Sequence, residues 1–358
     1  MNILLINHYA GSPSHGMEYR PFYLAREWVR LGHRVRISAA GFSHQRVQQP
    51  SAGGRRIARR TAESIDGIEY VWFPTPQYAG NGMGRVVNIL AFLRGLWLDA
   101  TRTVEEFRPD VVIASSTYPM DIWVARRISR LAGAKLVFEV HDVWPLTPIE
   151  LGGMSPRHPF IRVCQLAEDT AYRDAELVVS MLPRIAEHMA AHGGNPGKLH
   201  TIPNGISPSD WVGPPPALTG EISEYLRSAR AAGNLLVGYA GSHGGVNCLD
   251  ILLDAAQILK DRPISFILLG DGPERSGLLE RVQRDRLGNV VLFGRIQKDE
   301  VRAFLAALDI AYIGWRRLSI YRFGISPNKL MDYMMAGCPV VHAVAAGNDP
   351  VAEAGCGV

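Results

Sequence analysis

Lys329 stands two residues after Pro327 in the segment 322–341, RFGISPNKLMDYMMAGCPVV. Ser326-Pro327-Asn328 reads as a helix start, with the proline suited to the first turn. A lysine at the amino terminus of a helix opposes the macrodipole, which favours anions there, so it makes most sense if an anionic ligand neutralises it. Asp332 follows three positions on, on the same side of the helix, where its carboxylate can accept hydrogen bonds from a ribose. The bland alternative is a solvated helix face with a stray Lys and Asp. Two glycine-punctuated loops lie in the same half of the chain, Gly241-Ser242-His243-Gly244-Gly245 and Gly270-Asp271-Gly272-Pro273. Each follows an apolar run and precedes a helical pattern. Alone, a glycine turn is commonplace; two at successive strand ends form a bed for a diphosphate.

The first half of the chain holds two further constellations. His141-Asp142, within FEVHDVWPLTP, comes just after a buried-type strand. There an imidazole beside a carboxylate can bond a substrate hydroxyl or carry a proton. A histidine satisfied by nearby backbone is the structural alternative. The loop 7–20, NHYAGSPSHGMEYR, places Gly11, Ser12, Ser14 and Gly16 ahead of a helix opening near Tyr19. Its glycines permit close backbone approach to a ligand, although an ordinary strand-to-helix loop would look the same. It is not the dinucleotide pattern GxGxxG, and no acidic residue ends a clear second strand.

These residues need a scaffold of strands with loops at their carboxyl ends. Apolar runs at 3–6, 35–39, 68–73, 111–114, 136–140 and 177–180 alternate with helical patterns at 19–31, 84–107, 119–132, 158–174 and 183–191. Runs rich in Val and Ile without polar alternation are buried on both faces, as in a parallel sheet covered by helices. Pro203-Asn204-Gly205, Pro208 and Pro214-Pro215-Pro216 break the rhythm. A second series follows, with strands near 235–240, 264–269, 289–293, 309–313 and 339–342 and helices at 247–260, 274–286, 298–307 and 327–336. The expected fold is α/β, with two Rossmann-like doubly wound domains facing a cleft. Their boundaries are 1–205 for the first, 206–218 for a linker and 219–358 for the second, whose end reads as one or two helices short.

Composition narrows the field. The chain has 358 residues, 47% hydrophobic and 20% charged, which excludes a disordered or fibrous protein. Its net charge of +4 is too mild to point to nucleic acid. Residues 1–207 hold 23 basic and 18 acidic side chains and the remainder 15 and 16, so the positive field lies in the first half. Cys164, Cys248, Cys338 and Cys356 lie far apart, a spacing that argues against a zinc site or a disulfide scaffold and suits a reducing cytosol. No signal peptide precedes the first strand, and the apolar stretch 86–98 is too short to span a bilayer. That stretch, with Trp97 and Arg94, and the tract Arg55-Arg56-Ile57-Ala58-Arg59-Arg60 suggest a cytoplasmic protein that lies against an anionic membrane surface. A buried helix and a solvated loop explain them equally well.

The pieces GMEYRPFYLAREWVRLGHRV, HDVWP, IPNGI, YAGS, LLGDGPE, FGR and SPNKLMDYMMAGCPVV run through both halves in order. Together they resemble retaining glycosyltransferases of the GT-B fold, in family 4. The likeness is nearest to the bacterial branch that moves fucosamine and other N-acetyl amino sugars in surface polysaccharide synthesis. The resemblance implies a nucleotide-sugar donor, UDP-linked, held mainly by the second domain, and a lipid-linked or glycan acceptor held by the first. Catalytic roles fall to His141, near the reacting centre, and to Lys329. Donor contacts fall to Gly11, Ser12, Ser242, Gly270, Asp271, Arg295, Ile296, Ser326, Asn328 and the ribose-binding Asp332, and acceptor contacts to Glu18, Arg20 and Asp142. It implies no cofactor, no metal and no nucleic acid, and no DxD pair occurs. Two departures stand out. Family members carry a first acid eight residues before the second, where this chain has Gly324, and phosphate-binding Arg and Lys where it has Ser242 and Asn247. Lys329 is positioned to replace one of those cations. An epimerase of the same fold and an idle nucleotide-sugar-binding protein remain alternatives; the glycine spacing disfavours a dehydrogenase.

Overall fold

Continuous apolar runs pair with one another in the interior, because each must bury both faces. The computed structural model describes residues 1–16, 19–44, 46–52, 55–80, 82–218, 220–297 and 300–358. The side chains of Arg55 and Arg56, expected to add to a basic surface, lie outside the described ones. The chain divides into two compact units, Met1–Pro203 and Asn204–Val358. The two-domain α/β fold with parallel sheets expected from the sequence is the one observed.

In the first unit the elements run β1 (Asn2–Ile6), α1 (Tyr19–Arg30), β2 (Arg34–Ala40), a two-stranded hairpin β3 (Ser51–Ala52) and β4 (Arg55–Arg56), β5 (Thr61–Ile65) and β6 (Ile68–Phe73). They continue as α2 (Met83–Phe107), β7 (Val111–Ala114), α3 (Ile122–Ala132), β8 (Lys135–Val140), α4 (Leu146–Glu150), α5 (Pro159–Asp174), β9 (Leu177–Ser180), α6 (Ala186–Ala191) and β10 (Leu199–Thr201). The sheet order is β10-β9-β8-β7-β1-β2-β6-β5. Every neighbour is parallel except β5, which returns antiparallel on β6 through the Asp66-Gly67 turn. That edge strand carries mostly exposed polar side chains and lacks the apolar run that revealed the others.

The second unit contains α7 (Gly220–Ala231), β11 (Leu235–Ser242), α8 (Leu249–Ile258), β12 (Ile264–Asp271), α9 (Arg275–Arg284), β13 (Val290–Phe293), α10 (Glu300–Ala306), β14 (Ile310–Gly314), α11 (Asn328–Met335), β15 (Val340–Ala343) and α12 (Pro350–Ala354). All five strands are parallel, in the order β13-β12-β11-β14-β15. One face of the sheet packs on α7, α10 and α11 through Leu226, Phe304, Leu330 and Tyr333; the other packs on α8 and α9 through Leu252, Leu253 and Leu278. The stretch 206–218, read as a linker, is tied to this unit. Arg302 donates to the carbonyls of Asp210, Trp211 and Gly213, each at 3.0 Å, and lies over the Trp211 ring.

No helix among the described residues is long and apolar enough to cross a membrane. The 86–98 stretch lies within α2, where one face buries Ile89, Phe92 and Leu96 while Met83, Val87, Leu90, Trp97 and Leu98 stay exposed. Arg60 does not extend a basic surface, because Asp99 (2.9 Å) and Glu106 (2.6 Å) on α2 take its guanidinium.

Parallel pairing of β11 with β12 runs through Gly241↔Gly270 to Ser242↔Asp271, so the two glycine loops start side by side. At Gly270 the backbone has φ +140°, and a Cβ there would stand 1.9 Å from the Gly241 carbonyl oxygen. Gly270→Ala is therefore expected to destabilise the protein by about 2 kcal/mol or more through backbone strain and displacement of β11. Thermal unfolding measures this, and a melting temperature equal to the parent's would contradict it.

Candidate functional site

In each sheet the chain walks outward from its first strand in both directions. The connections on either side of that strand leave toward opposite faces, which opens a crevice at the carboxyl ends. In the first unit this point lies between β1 and β7. Asn7 Nδ2 donates to the Ser115 carbonyl at 2.6 Å, and the His8 amide donates to Ser116 Oγ at 3.1 Å. These bonds lock the two strand ends together.

His141, one residue past β8, reaches this place. Its Nε2 lies 2.9 Å from Ser115 Oγ and 3.2 Å from Glu139 Oε2. The Ser115 hydroxyl donates its one proton to Glu139 Oε2 at 2.7 Å, so the contact with His141 requires an N–H on Nε2. The other oxygen of Glu139 accepts from Arg20 Nε at 3.0 Å. Burial works against the charge on Glu139, which is 4% exposed, but His141, Arg20 and Ser115 outweigh it and hold the carboxyl at about 2. The imidazole is thus oriented by a carboxylate, which is in turn oriented by a guanidinium.

Arg20 was expected to meet an acceptor. Instead it is buried, and beyond Glu139 it donates to the carbonyls of Pro203 (2.9 Å) and Ile202 (2.8 Å). Its place is behind His141. Asp142 likewise serves its own turn, where Oδ1 accepts from the Val143 amide (2.9 Å) and from Thr147 Oγ1 (2.6 Å). Gly11 offers its carbonyl to Tyr70 OH at 2.8 Å, and Ser12 is buried with its hydroxyl on Ser14 Oγ and His15 Nδ1. Glu18 lies outside the described residues. Sequence reasoning missed Asp121, fully buried, whose Oδ2 accepts from the Ser116 amide at 2.9 Å and whose carboxyl burial pushes up to about 7.

In the second unit Lys329, on the first turn of α11, reaches the end of β11. Its ammonium donates to Tyr239 OH at 2.9 Å and to Asn247 Oδ1 at 3.0 Å, and sits 4.4 Å from the Tyr239 ring centroid. The Asn247 amide and the Tyr239 hydroxyl both donate to the Ser242 carbonyl, which fixes the loop beneath the amine. Among the described residues no carboxylate is within ion-pair distance of Lys329. Burial alone lowers its pKa to about 8. Among the described residues, this enclosed cation has neutral dipoles and a π-face for partners.

The other expected donor residues fall around it unevenly. Ser242 and Asp271 are register partners at the strand ends, and Asp271 lies 3.8 Å from Arg295 across half-exposed side chains. Ile296 packs partly against the core. Ser326 is already engaged, since its Oγ accepts from the Asn204 amide at 2.7 Å and its carbonyl from Asn204 Nδ2 at 2.6 Å. Pro327 is the residue capping α11, outside its first turn, and Asn328 is exposed at the start of the helix. Asp332 lies one turn further along. Gly324 has φ +99°, a conformation in which the acid common at that position would be strained. His243, not singled out from sequence, is fully buried with both ring nitrogens lacking a hydrogen-bond partner.

Residues 15–205 match the domain family described as glycosyl transferase 4-like, and residues 234–357 match the glycosyl transferases group 1. The chain is 24% identical over 260 residues to a probable glycosyltransferase, WbjE, of Pseudomonas aeruginosa, covering 72% of this chain and 63% of that protein's length. Among solved structures, HepE of Anabaena with UDP and glucose superposes with a TM-score of 0.61 at 20% identity, over 97% of this chain and 82% of the other. WaaG, a glycosyltransferase involved in lipopolysaccharide biosynthesis, gives 0.65 at 15% identity, over 99% and 85%. Sucrose-phosphate synthase of Thermosynechococcus elongatus gives 0.68 at 13% identity, over 96% and 82%.

Two stability measurements follow from the electrostatics. Glu139→Gln removes the buried carboxylate that Arg20, Ser115 and His141 share and should cost about 3–5 kcal/mol in urea unfolding. Since the folded carboxyl is depressed to about 2, its stabilisation is present above the ordinary value of 4.5 and disappears as pH falls between the two. A Gln variant as stable as the parent at neutral pH would refute this. For Lys329 the sign is opposite. Its amine binds a proton less readily folded than unfolded, so parent stability relative to Lys329→Met should rise as pH climbs from about 8 toward 10.5. A pH-independent difference would show that the amine is not desolvated.

Proposed function

Since this chain belongs to the glycosyltransferases with a 4-like domain, we propose that it transfers a sugar from a UDP-linked donor to a lipid-linked or glycan acceptor in bacterial surface polysaccharide synthesis. The sugar is an N-acetyl amino sugar, and it keeps its anomeric configuration. The observation that carries the reading is the enclosed, acid-free ammonium of Lys329 above the paired glycine loops of β11 and β12. An isolated cation of this kind is costly until an anion reaches it. A diphosphate is the anion such loops admit.

In this reading Lys329 and the backbone N–H groups of Ser326 and Asn328 hold the diphosphate, while Gly241, Ser242, Gly270 and Asp271 line its bed. Lys329 thereby supplies, from α11, charge that family members bring at the positions of Ser242 and Asn247. Asp332 accepts from the ribose, and the backbone at Arg295 and Ile296 reads the base edge. His141 meets the donor sugar, with Gly11 and Ser12 beside it, while Glu18 and Asp142 contribute to the acceptor side. Arg20 is a positioning residue acting through Glu139. The acceptor hydroxyl oxygen bonds to the anomeric carbon as the bond from that carbon to the diphosphate breaks. The bonding electrons leave on the diphosphate, and the acceptor's proton goes to a departing phosphate oxygen. Stabilising that developing charge is the task of Lys329 and the helix amino terminus. No metal is needed in this scheme. The UDP assignment draws support from HepE, which was solved with UDP and glucose. The membrane part of the reading rests on the exposed α2 stripe of Met83, Val87, Leu90, Trp97 and Leu98, interrupted by Arg94.

A thermal-shift titration with UDP, GDP, ADP and NAD tests the donor class. UDP at about a hundred times its dissociation constant should add about 2.7 kcal/mol of stability. Preference for NAD, or no shift with any of the four, would overturn the proposal. In Lys329→Ala the UDP shift should vanish, and kcat/KM for transfer should fall by about 100-fold or more. Release of an epimerised free sugar without acceptor would mark the same fold used for epimerisation. Flotation with anionic vesicles at low salt tests membrane contact, and a protein that stays with the soluble fraction would remove it.

A further inference from the structure

We propose that the first unit carries a structural transition-metal site, of the chemistry that Zn(II) takes, between α5 and α6. The ligands are Glu168, His188 and His192, with Asp169 beside them. Their ligand atoms from Glu168, His188 and His192 all lie within 4.8 Å of one another. His188 and His192 are four residues apart, so α6 and its end present both rings to the same side, with centroids 4.5 Å apart. His188 Nε2 is 2.8 Å from Glu168 Oε1, and His192 Nδ1 is 3.0 Å from Asp169 Oδ1.

Two features distinguish this cluster from a pair of histidine–carboxylate contacts. First, Glu168 is 2% exposed, and among the described residues no Lys or Arg is within ion-pair distance of it or of Asp169. A buried carboxylate needs a cation or a full set of donors, and here the groups around it are Gln165, Tyr172 and His188 rather than a permanently charged side chain. Second, the hydrogen bonds conflict. Gln165 Nε2 lies 2.9 Å from Glu168 Oε2, 2.7 Å from Asp169 Oδ1 and 2.8 Å from His192 Nδ1. An amide nitrogen has two protons for these three atoms. The Gln165 contact calls for a lone pair on His192 Nδ1 and the Asp169 contact for a proton there, so either tautomer satisfies only one of the two. A bound cation removes the conflict, because it takes the Nδ1 lone pair and neutralises the carboxylates.

The donor set selects the metal class. Two imidazoles with carboxylate oxygens suit zinc and its transition-metal neighbours, whereas magnesium and calcium prefer all-oxygen sites. Tyr172 OH donates to Glu168 Oε1 at 3.1 Å, the kind of outer contact that orients a metal-binding carboxylate. The cysteine spacing that argues against a zinc site bears only on thiolate ligands. None of these residues belongs to the set assigned to transfer, so the site pins α6 to α5 and takes no part in the reaction.

The full chain, stripped with a chelator, is titrated with zinc chloride alone while melting temperature and heat of binding are recorded. Zinc should bind at about one ion per chain and raise the melting temperature, magnesium should do neither, and His192→Ala should weaken zinc binding by about 10-fold or more. His200→Ala, an exposed histidine in β10, should bind as the parent does. Absence of a zinc-dependent shift, or equal binding by parent and His192→Ala, overturns the proposal. If His192→Ala folds poorly, cobalt(II) added to the parent decides. Intense visible bands of a low-coordinate nitrogen–oxygen site support it, and the weak spectrum of the aqueous ion overturns it.

Discussion

A parallel sheet that grows outward from its first strand in both directions leaves its loops diverging at that strand's carboxyl end, and both units are built under this constraint. In the first unit it brings the ends of β1, β7 and β8 together, so Asn7 and His8 meet Ser115, Ser116 and His141, which follow more than a hundred residues later in sequence. In the second it sets Ser242 beside Asp271 and allows α11 to deliver Lys329 to the end of β11. Glycine is required where those strand ends approach each other, and Gly270 is the tightest instance.

Most of the scaffold was legible because buried parallel strands leave an unmistakable trace. The runs at 68–73, 111–114 and 177–180 coincide with β6, β7 and β9. What escaped was structure without such a trace, such as β5, whose exposed polar residues depend on β6 for their conformation, and α7, which follows a proline cluster. In the candidate site, Lys329 was legible because a cation at a helix amino terminus needs an explanation. Glu139 was not singled out, although an acid inside the apolar run of β8 was a signal of the same kind. Arg20 shows the limit of reading positions one at a time. Its partners Glu139, Ile202 and Pro203 come from distant parts of the chain, so its positioning role has no trace near the motif that carries it.

The two units manage charge in opposite ways. Around His141 a carboxylate, a guanidinium and a hydroxyl satisfy one another, so that the ring is held in one tautomer without help from a ligand. Such an arrangement stabilises the protein and prepares a rigid surface. Among the described residues Lys329 is left incomplete, with Tyr239 and Asn247 giving it dipoles but no counter-charge. The cost of that incompleteness is returned when an anion arrives, so the protonation state of a single amine should report on occupancy.

Calorimetric titration of the chain with UDP near pH 8.5, in buffers of different ionisation enthalpy, tests this directly. A diphosphate that pairs with Lys329 restores the amine's affinity for its proton, so binding should take up a measurable fraction of a proton at that pH, where the terminal phosphate of UDP is already fully ionised. Binding of UDP with no proton uptake at pH 8.5 would contradict the assignment of Lys329 as the group that holds the diphosphate.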